Sequence, residues 1–210
     1  MENQQELDPE YIACNHDIVS LSSRSFHEQL GFLRLTEKDL VGKVLNLGSE
    51  ENEILAREAQ TLGIDVVSVN PLLSSAGRRE NRNRFISNLQ SGKIRPELSG
   101  TKTEVVAALS GRLPFKDDSF DTVISVYAIP YWLPPDLNVL SNTFTEINRV
   151  IRPGGKAYIY PTTISAEEEA SGKLLDNDTV RKSLELCDIN FHFDPDSKLA
   201  SDNPVLIITK

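Results

Sequence analysis

Short apolar runs separated by amphipathic stretches dominate the chain from residue 43 onward. Such runs, when bounded by glycine, proline or polar residues, are typical of strands buried on both faces of a sheet. The predicted strands are residues 43–47, 65–69, 104–109, 121–126, 156–160, 191–193 and 205–209. The last two follow each other without a full helix between them, which indicates an antiparallel finish.

Between these runs, apolar residues recur at helical spacing and predict helices. Their inner faces are predicted to carry Phe26, Leu30 and Leu33; Leu55, Ala59 and Leu62; and Leu137, Leu140, Phe144, Ile147 and Ile151. The second of these helices is predicted to begin at Ser49 as N-cap, with glutamates in its first turn. A further helix is predicted over residues 171–187, and a turn over residues 152–155.

Strands that alternate with helices predict an α/β fold with right-handed crossovers and helices on both faces of the sheet. We therefore expect a doubly wound, mostly parallel seven-stranded sheet of the Rossmann-like kind, with an antiparallel last strand. The whole of residues 1–210 is expected to be a single domain. Within it, residues 1–40 form an N-terminal arm with helices, and residues 41–210 form the α/β core.

Composition and charge narrow the class of protein. The chain has 210 residues, 39% of them hydrophobic and 25% charged, as expected of one folded globular domain. A net charge of −9 disfavours nonspecific binding to nucleic acid or anionic membranes. No apolar run approaches the length of a membrane span. Two widely separated cysteines, Cys14 and Cys187, give no disulfide framework, so we expect a cytoplasmic protein.

A cluster of arginines interrupts the acidic character of the sequence at Arg78, Arg79, Arg82 and Arg84. Such a cluster is most often a solvated helix face. The alternative is a site for phosphate or an acidic partner, which would leave room for a nucleic-acid or carrier-bound substrate.

Two sequence blocks carry a family resemblance. Residues 113–125 read LPFKDDSFDTVIS, and residues 146–155 read EINRVIRPGG. They resemble the LPF-x-x-x-S-F-D-x-V and E-x-x-R-V-L-K-P-G-G blocks of class I S-adenosylmethionine-dependent methyltransferases, most closely the small-molecule, methyltransferase type 11-like branch. The resemblance spans roughly residues 42–210. It implies S-adenosylmethionine as cofactor and a small molecule as methyl acceptor.

The resemblance also implies where the cofactor binds. In this family the loop after the first strand wraps the methionine part, the end of the second strand holds the ribose, and residues after the third strand contact the adenine. The matching cofactor-binding candidates are Gly48, Ser49, Glu50, Asn70, Leu109, Ser110 and Ser125.

This sequence departs from the family pattern in the first of these loops. The family reads D-x-G-x-G-x-G, whereas residues 46–52 read NLGSEEN and keep only Gly48. Glu50 or Glu51 is available to pair with the cofactor's ammonium group, or else caps the following helix. The second strand ends in Asn70, where the family has an acid. A second interpretation is therefore a catalytically inactive, methyltransferase-like scaffold that binds a protein partner.

Methyl transfer from a sulfonium is an in-line displacement that depends mainly on alignment, so no catalytic residue is required by the chemistry alone. A base is needed only when the acceptor must lose a proton. The candidates are His16 and His27 in the N-terminal region, and Tyr127 and Tyr131 after the fourth strand. The tyrosines could line an acceptor or adenine pocket, or simply pack the core. No metal-binding constellation stands out.

Overall fold

The computed structural model describes residues 24–49, 53–71, 83, 101, 103–131, 133–163, 175–194 and 203–210. Within these ranges seven strands form one sheet. They are β1 (Lys43–Leu47), β2 (Asp65–Val69), β3 (Glu104–Val106), β4 (Phe120–Val126), β5 (Ile151–Tyr160), β6 (Phe191–Asp194) and β7 (Val205–Thr209). The helices are α1 (Phe26–Leu33), α2 (Ile54–Thr61), α3 (Leu137–Val150) and α4 (Asn177–Glu185), with a short 3₁₀ turn at Glu37–Asp39.

The strand order is β3-β2-β1-β4-β5-β7-β6. Strands β1 to β5 pair in parallel, whereas β7 runs antiparallel to both β5 and β6. The predicted doubly wound sheet with an antiparallel last strand is therefore confirmed. The strand order reverses between β1 and β4, and ligands of open α/β sheets bind beyond the carboxyl ends of the strands at such a point.

Helices cover the two faces of the sheet with separate apolar cores. On one face, α1 and α2 contribute Phe26, Leu30 and Leu55 to a core that includes Ile124 of β4. On the other face, α3 and α4 pack against residues of the central strands. That core includes Leu45, Val67, Val123, Leu140, Phe144, Ile147 and Leu184. No helix in the described ranges is long and apolar enough to cross a membrane.

The helix after β1 starts later than the sequence suggested. Its N-cap is Glu53, which has a left-handed φ of 53°. The prediction of Ser49 as N-cap is wrong because the backbone N–H groups of Gly48 and Ser49 donate to the carbonyl of Val69, at 3.0 and 3.2 Å. Those bonds hold the chain beside β2 before it can turn into a helix. Leu62, predicted on the inner face, lies after the last helical residue and is 45% exposed.

Two strand boundaries also differ from the predictions. The predicted turn at 152–155 belongs to β5, which already begins at Ile151 where that residue pairs with Phe120. Gly154 takes a φ of 83° inside this strand. The third strand ends at Val106 rather than at residue 109, because Leu109 instead forms an isolated antiparallel bridge to Arg112.

The two sequence blocks that carry the family resemblance are joined by hydrogen bonds. Arg149 donates to both carboxylate oxygens of Glu146, at 2.7 and 2.8 Å, and to the carbonyls of Leu113 and Phe115 at 3.0 and 2.8 Å. Glu146 in turn accepts a 2.8 Å bond from the backbone N–H of Leu113. The Arg149 hydrogen bonds lower the pKa of Glu146. Hydrogen bonds and an ion pair thus join α3 to the segment that leads into β4.

Candidate functional site

The loop after β1 packs directly against the loop after β4. Gly48 has a φ of 80°, and a Cβ placed on it would lie 2.0 Å from the Cβ of Ala128. Only glycine satisfies both conditions, because a side chain would be strained at this φ and would collide with Ala128. Gly48 is the one glycine of the family loop that this chain retains. It is therefore required for packing against the loop after β4.

Asn70 fastens this loop to the end of β2. Its side-chain Nδ2 donates to the carbonyl of Ser49 at 2.8 Å, and its backbone N–H donates to Val106 at 3.0 Å. Asn70 and Ser49 are both buried. Asn70 thereby joins the carboxyl ends of three neighbouring strands, β1, β2 and β3. Its predicted contact with a ribose stays a prediction.

Ser49 offers a polar group that the described residues do not use. The residue is only 9% exposed, and its buried Oγ has no hydrogen-bond partner in the described part of the chain. Burying a hydroxyl without a partner is unfavourable, so such atoms often mark a ligand position. A cofactor with a charged amino-acid end fits this place at the carboxyl edge of β1, since the hydroxyl can donate or accept.

A buried acid–base pair supports the start of α2. Glu53 is 1% exposed, and its charge favours the protonated form of Arg57 one helical turn on. Burial nevertheless lowers the pKa of Arg57 below its usual value. Arg57 Nη1 donates to the carbonyl of Thr101 at 2.9 Å, which ties α2 to the segment before β3. The sequence pattern predicted only that glutamates lie in the first turn of this helix.

Ser125, another of the cofactor candidates, holds the loop after β4 in place. The Oγ of Ser125 accepts a 2.9 Å bond from the backbone N–H of Ile129 and lies 3.2 Å from the carbonyl of the same residue. Ser125 is fully buried, so it shapes the loop after β4. Ser110 is also buried, and Leu109 is half-buried next to it. Whether these residues contact a cofactor stays a prediction.

Aromatic side chains gather where β4 and β5 end. The ring of Tyr127 lies edge-on to Phe32 at 5.3 Å, to Tyr160 at 5.6 Å and to Tyr131 at 5.9 Å. The guanidinium of Arg24 lies 4.2 Å from the centroid of the Tyr127 ring. Tyr127 directly precedes Ala128, so this aromatic cluster borders the loop that packs on Gly48. Both tyrosines singled out in the sequence belong to it.

The profile of the family described as "Methyltransferase domain" matches residues 48–159, which is more than half of the chain. The match starts at Gly48 and ends in β5, so it contains the loops that follow β1 and β4. The chain belongs to the class I S-adenosylmethionine-dependent methyltransferases. The cofactor of this family is S-adenosylmethionine.

Solved structures share the fold of this methyltransferase. The PH0226 protein from Pyrococcus horikoshii OT3 is 17% identical, with a TM-score of 0.61 over 100% of this chain and 99% of that one. The N-methyltransferase NodS from Bradyrhizobium japonicum WM9, in complex with S-adenosyl-L-homocysteine, is 15% identical, with a TM-score of 0.58 over 96% and 97% of the two chains.

One curated relative aligns over a shorter stretch. It is a sterol 4-C-methyltransferase of Caenorhabditis elegans, 34% identical over 59 residues. The aligned stretch covers 28% of this chain and 16% of that protein. The alignment therefore spans about a sixth of that relative. The sterol named as the relative's substrate applies to that protein alone.

Of the two histidine candidates for a catalytic base, the structure describes only His27. Its side chain is 69% exposed and its Nε2 lies 2.8 Å from Glu37. It therefore forms a surface ion pair when protonated, and its role as a base stays a prediction. Several other predicted features lie outside the described residues. They are His16, Glu50 and the arginines at 78, 79, 82 and 84.

Proposed function

We propose that this methyltransferase transfers a methyl group from S-adenosylmethionine to a small-molecule acceptor held beside the loop after β4. The contact of Gly48 with Ala128 carries this proposal. It brings the cofactor loop of the family next to a half-buried aromatic surface formed by Tyr127 and Tyr131. An apolar wall of this kind suits a small organic acceptor.

In this proposal the chain acts mainly by positioning. S-adenosylmethionine supplies a methyl group activated by a sulfonium. Ser49 would hold a polar end of the cofactor through its buried Oγ, and Asn70 keeps the Ser49 backbone in place. Tyr127 and Tyr131 would exclude water from the acceptor. Alignment of the two reactants then supplies much of the rate, because in-line displacement is sensitive to geometry.

The experiment uses cofactor labelled with tritium in the methyl group. The protein is incubated with this cofactor and a deproteinised small-molecule extract, and products are separated from the cofactor by chromatography. We expect label in small-molecule products, at a lower rate with Ser49→Ala. Ser183→Ala is the matched control, since Ser183 is a buried serine in α4 whose hydroxyl bonds within its own helix.

Two results would contradict the proposal. Label that appears only when the macromolecular fraction of the extract is added back, and then only in macromolecules, would refute a small-molecule acceptor. No transfer at all, by a protein that still binds S-adenosylhomocysteine, would favour the inactive scaffold and direct the search to protein partners.

A further inference from the structure

We propose that the acceptor is an aliphatic amine, held with its nitrogen over the ring faces of Tyr127 and Phe32. The inference rests on the proposed function and names the substrate class of the same site. The two rings stand almost perpendicular, with an interplanar angle of 87° and centroids 5.3 Å apart. They form two walls of a corner, and that corner already holds a positive charge.

The present occupant of the corner is Arg24. Its guanidinium carbon lies 4.2 Å from the centroid of Tyr127 and 5.5 Å from that of Phe32. Both distances are within the range in which a ring face attracts a cation electrostatically. Arg24 lies just before the N-cap of α1, outside the sheet. It therefore marks the place where the positive charge that develops on the acceptor nitrogen can lie.

The backbone at Tyr127, which positions one ring of this corner, is held by a hydrogen bond in an unusual conformation. Tyr127 adopts a left-handed φ of 52°, which is unfavourable for a residue with a side chain. Its N–H donates to the carbonyl of Tyr160 at 2.7 Å, and the buried ring of Tyr160 stacks on Phe32 at an interplanar angle of 16°. Strained residues held this firmly concentrate at functional sites. The geometry thus presents the Tyr127 ring beside the loop that packs on Gly48.

The charge balance of methyl transfer suits this corner. The lone pair of a neutral amine forms the new N–C bond while the S–C bond breaks. The electron pair of that bond stays on sulfur, which becomes a neutral thioether, and the positive charge passes to nitrogen. Ring faces therefore meet the charge that develops on the acceptor. A net charge of −9 also attracts cations and repels anions.

The test compares three ligands of nearly the same shape and different charge. Choline is the cation, 3,3-dimethylbutan-1-ol is its neutral isostere, and 3,3-dimethylbutanoate is the anion. Each is titrated calorimetrically into the full chain, with and without saturating S-adenosylhomocysteine. We expect choline to bind about threefold to thirtyfold more tightly than the neutral isostere.

Variants separate this role from a structural one. Arg24→Gln removes the competing internal cation, so it should raise choline affinity by about threefold or more. Arg34→Gln is the control, because Arg34 lies at the other end of α1 and pairs with Asp194 rather than with a ring. Phe32→Leu should reduce the preference for choline.

The outcomes distinguish the two proposals. Equal binding of choline and its neutral isostere, or tighter binding of the carboxylate, overturns the amine inference. In that case the proposed function still stands, provided that the protein binds S-adenosylhomocysteine. Choline affinity unchanged in Arg24→Gln also overturns it. Absence of S-adenosylhomocysteine binding overturns the proposed function, and a choline preference would then mark a cation site that is not an acceptor site.

Discussion

Replacing Gly48 with alanine is the sharpest test of how the two loops at the switch point pack. The added Cβ would lie 2.0 Å from the Cβ of Ala128, where the normal contact distance between carbons is about 3.5–4 Å. The residue would also have to keep a φ of 80°. Gly48→Ala therefore combines two costs, one from backbone strain and one from overpacking.

The structure supplies a matched control for the strain. Gly63 has a φ of 75°, and nothing lies within 4 Å of an added Cβ. Gly63→Ala should cost about 1–2 kcal/mol, since only the left-handed backbone is affected. Gly48→Ala should cost about 2–5 kcal/mol, because overpacking adds about 1–3 kcal/mol. The difference between the two variants measures the collision with Ala128.

The assay is urea unfolding of the wild type, of both alanine variants, of Ala128→Gly and of the Gly48→Ala/Ala128→Gly double variant. The double variant removes the collision and keeps the strain, so it should show a favourable coupling of about 1–3 kcal/mol. Equal costs for Gly48→Ala and Gly63→Ala, or additive effects in the double variant, would refute the packing of the two loops described above.

Two further variants test other parts of the site by urea unfolding. Glu146→Gln should cost about 1.5–3 kcal/mol near neutral pH through weaker bonds to Arg149. Because folding lowers the pKa of Glu146, this stability is present above the unfolded pKa of about 4.3 and is lost as pH falls through the folded pKa. The gap between wild type and variant should therefore narrow in acid, and a constant gap would contradict the assignment. Ser125→Ala should cost about 1–3 kcal/mol by leaving the N–H of Ile129 unpaired, and a neutral effect would contradict its loop-holding role.

The strands were the most predictable part of the fold. The bounds of β1, β2 and β7 agree with the apolar runs, because strands buried among other strands leave a continuous apolar signal. The start of α2 was not predictable in the same way. It depends on the carbonyl of Val69, which lies on another strand and holds Gly48 and Ser49. Ile151 has the helical spacing of α3, but its pairing with Phe120 places it in β5.

Residues of the candidate site were predictable only where their position after a predicted strand indicates a role. Gly48, Tyr127 and Tyr131 could be singled out because they follow predicted strands at the edge where ligands bind. Arg24 and Phe32 could not, because they reach Tyr127 from a part of the chain about a hundred residues away in sequence. Long-range contacts of this kind leave no local pattern.

Calorimetric titration of S-adenosylhomocysteine into wild type, Ser49→Ala and Ser183→Ala tests cofactor binding most directly. We expect binding in the micromolar range to the wild type and to Ser183→Ala. Ser49→Ala should bind about threefold to tenfold more weakly, through loss of one hydrogen bond. Equal affinity in all three would contradict the role of Ser49. No heat and no thermal shift with the wild type at millimolar ligand would contradict the conclusion that this edge of the sheet holds the cofactor.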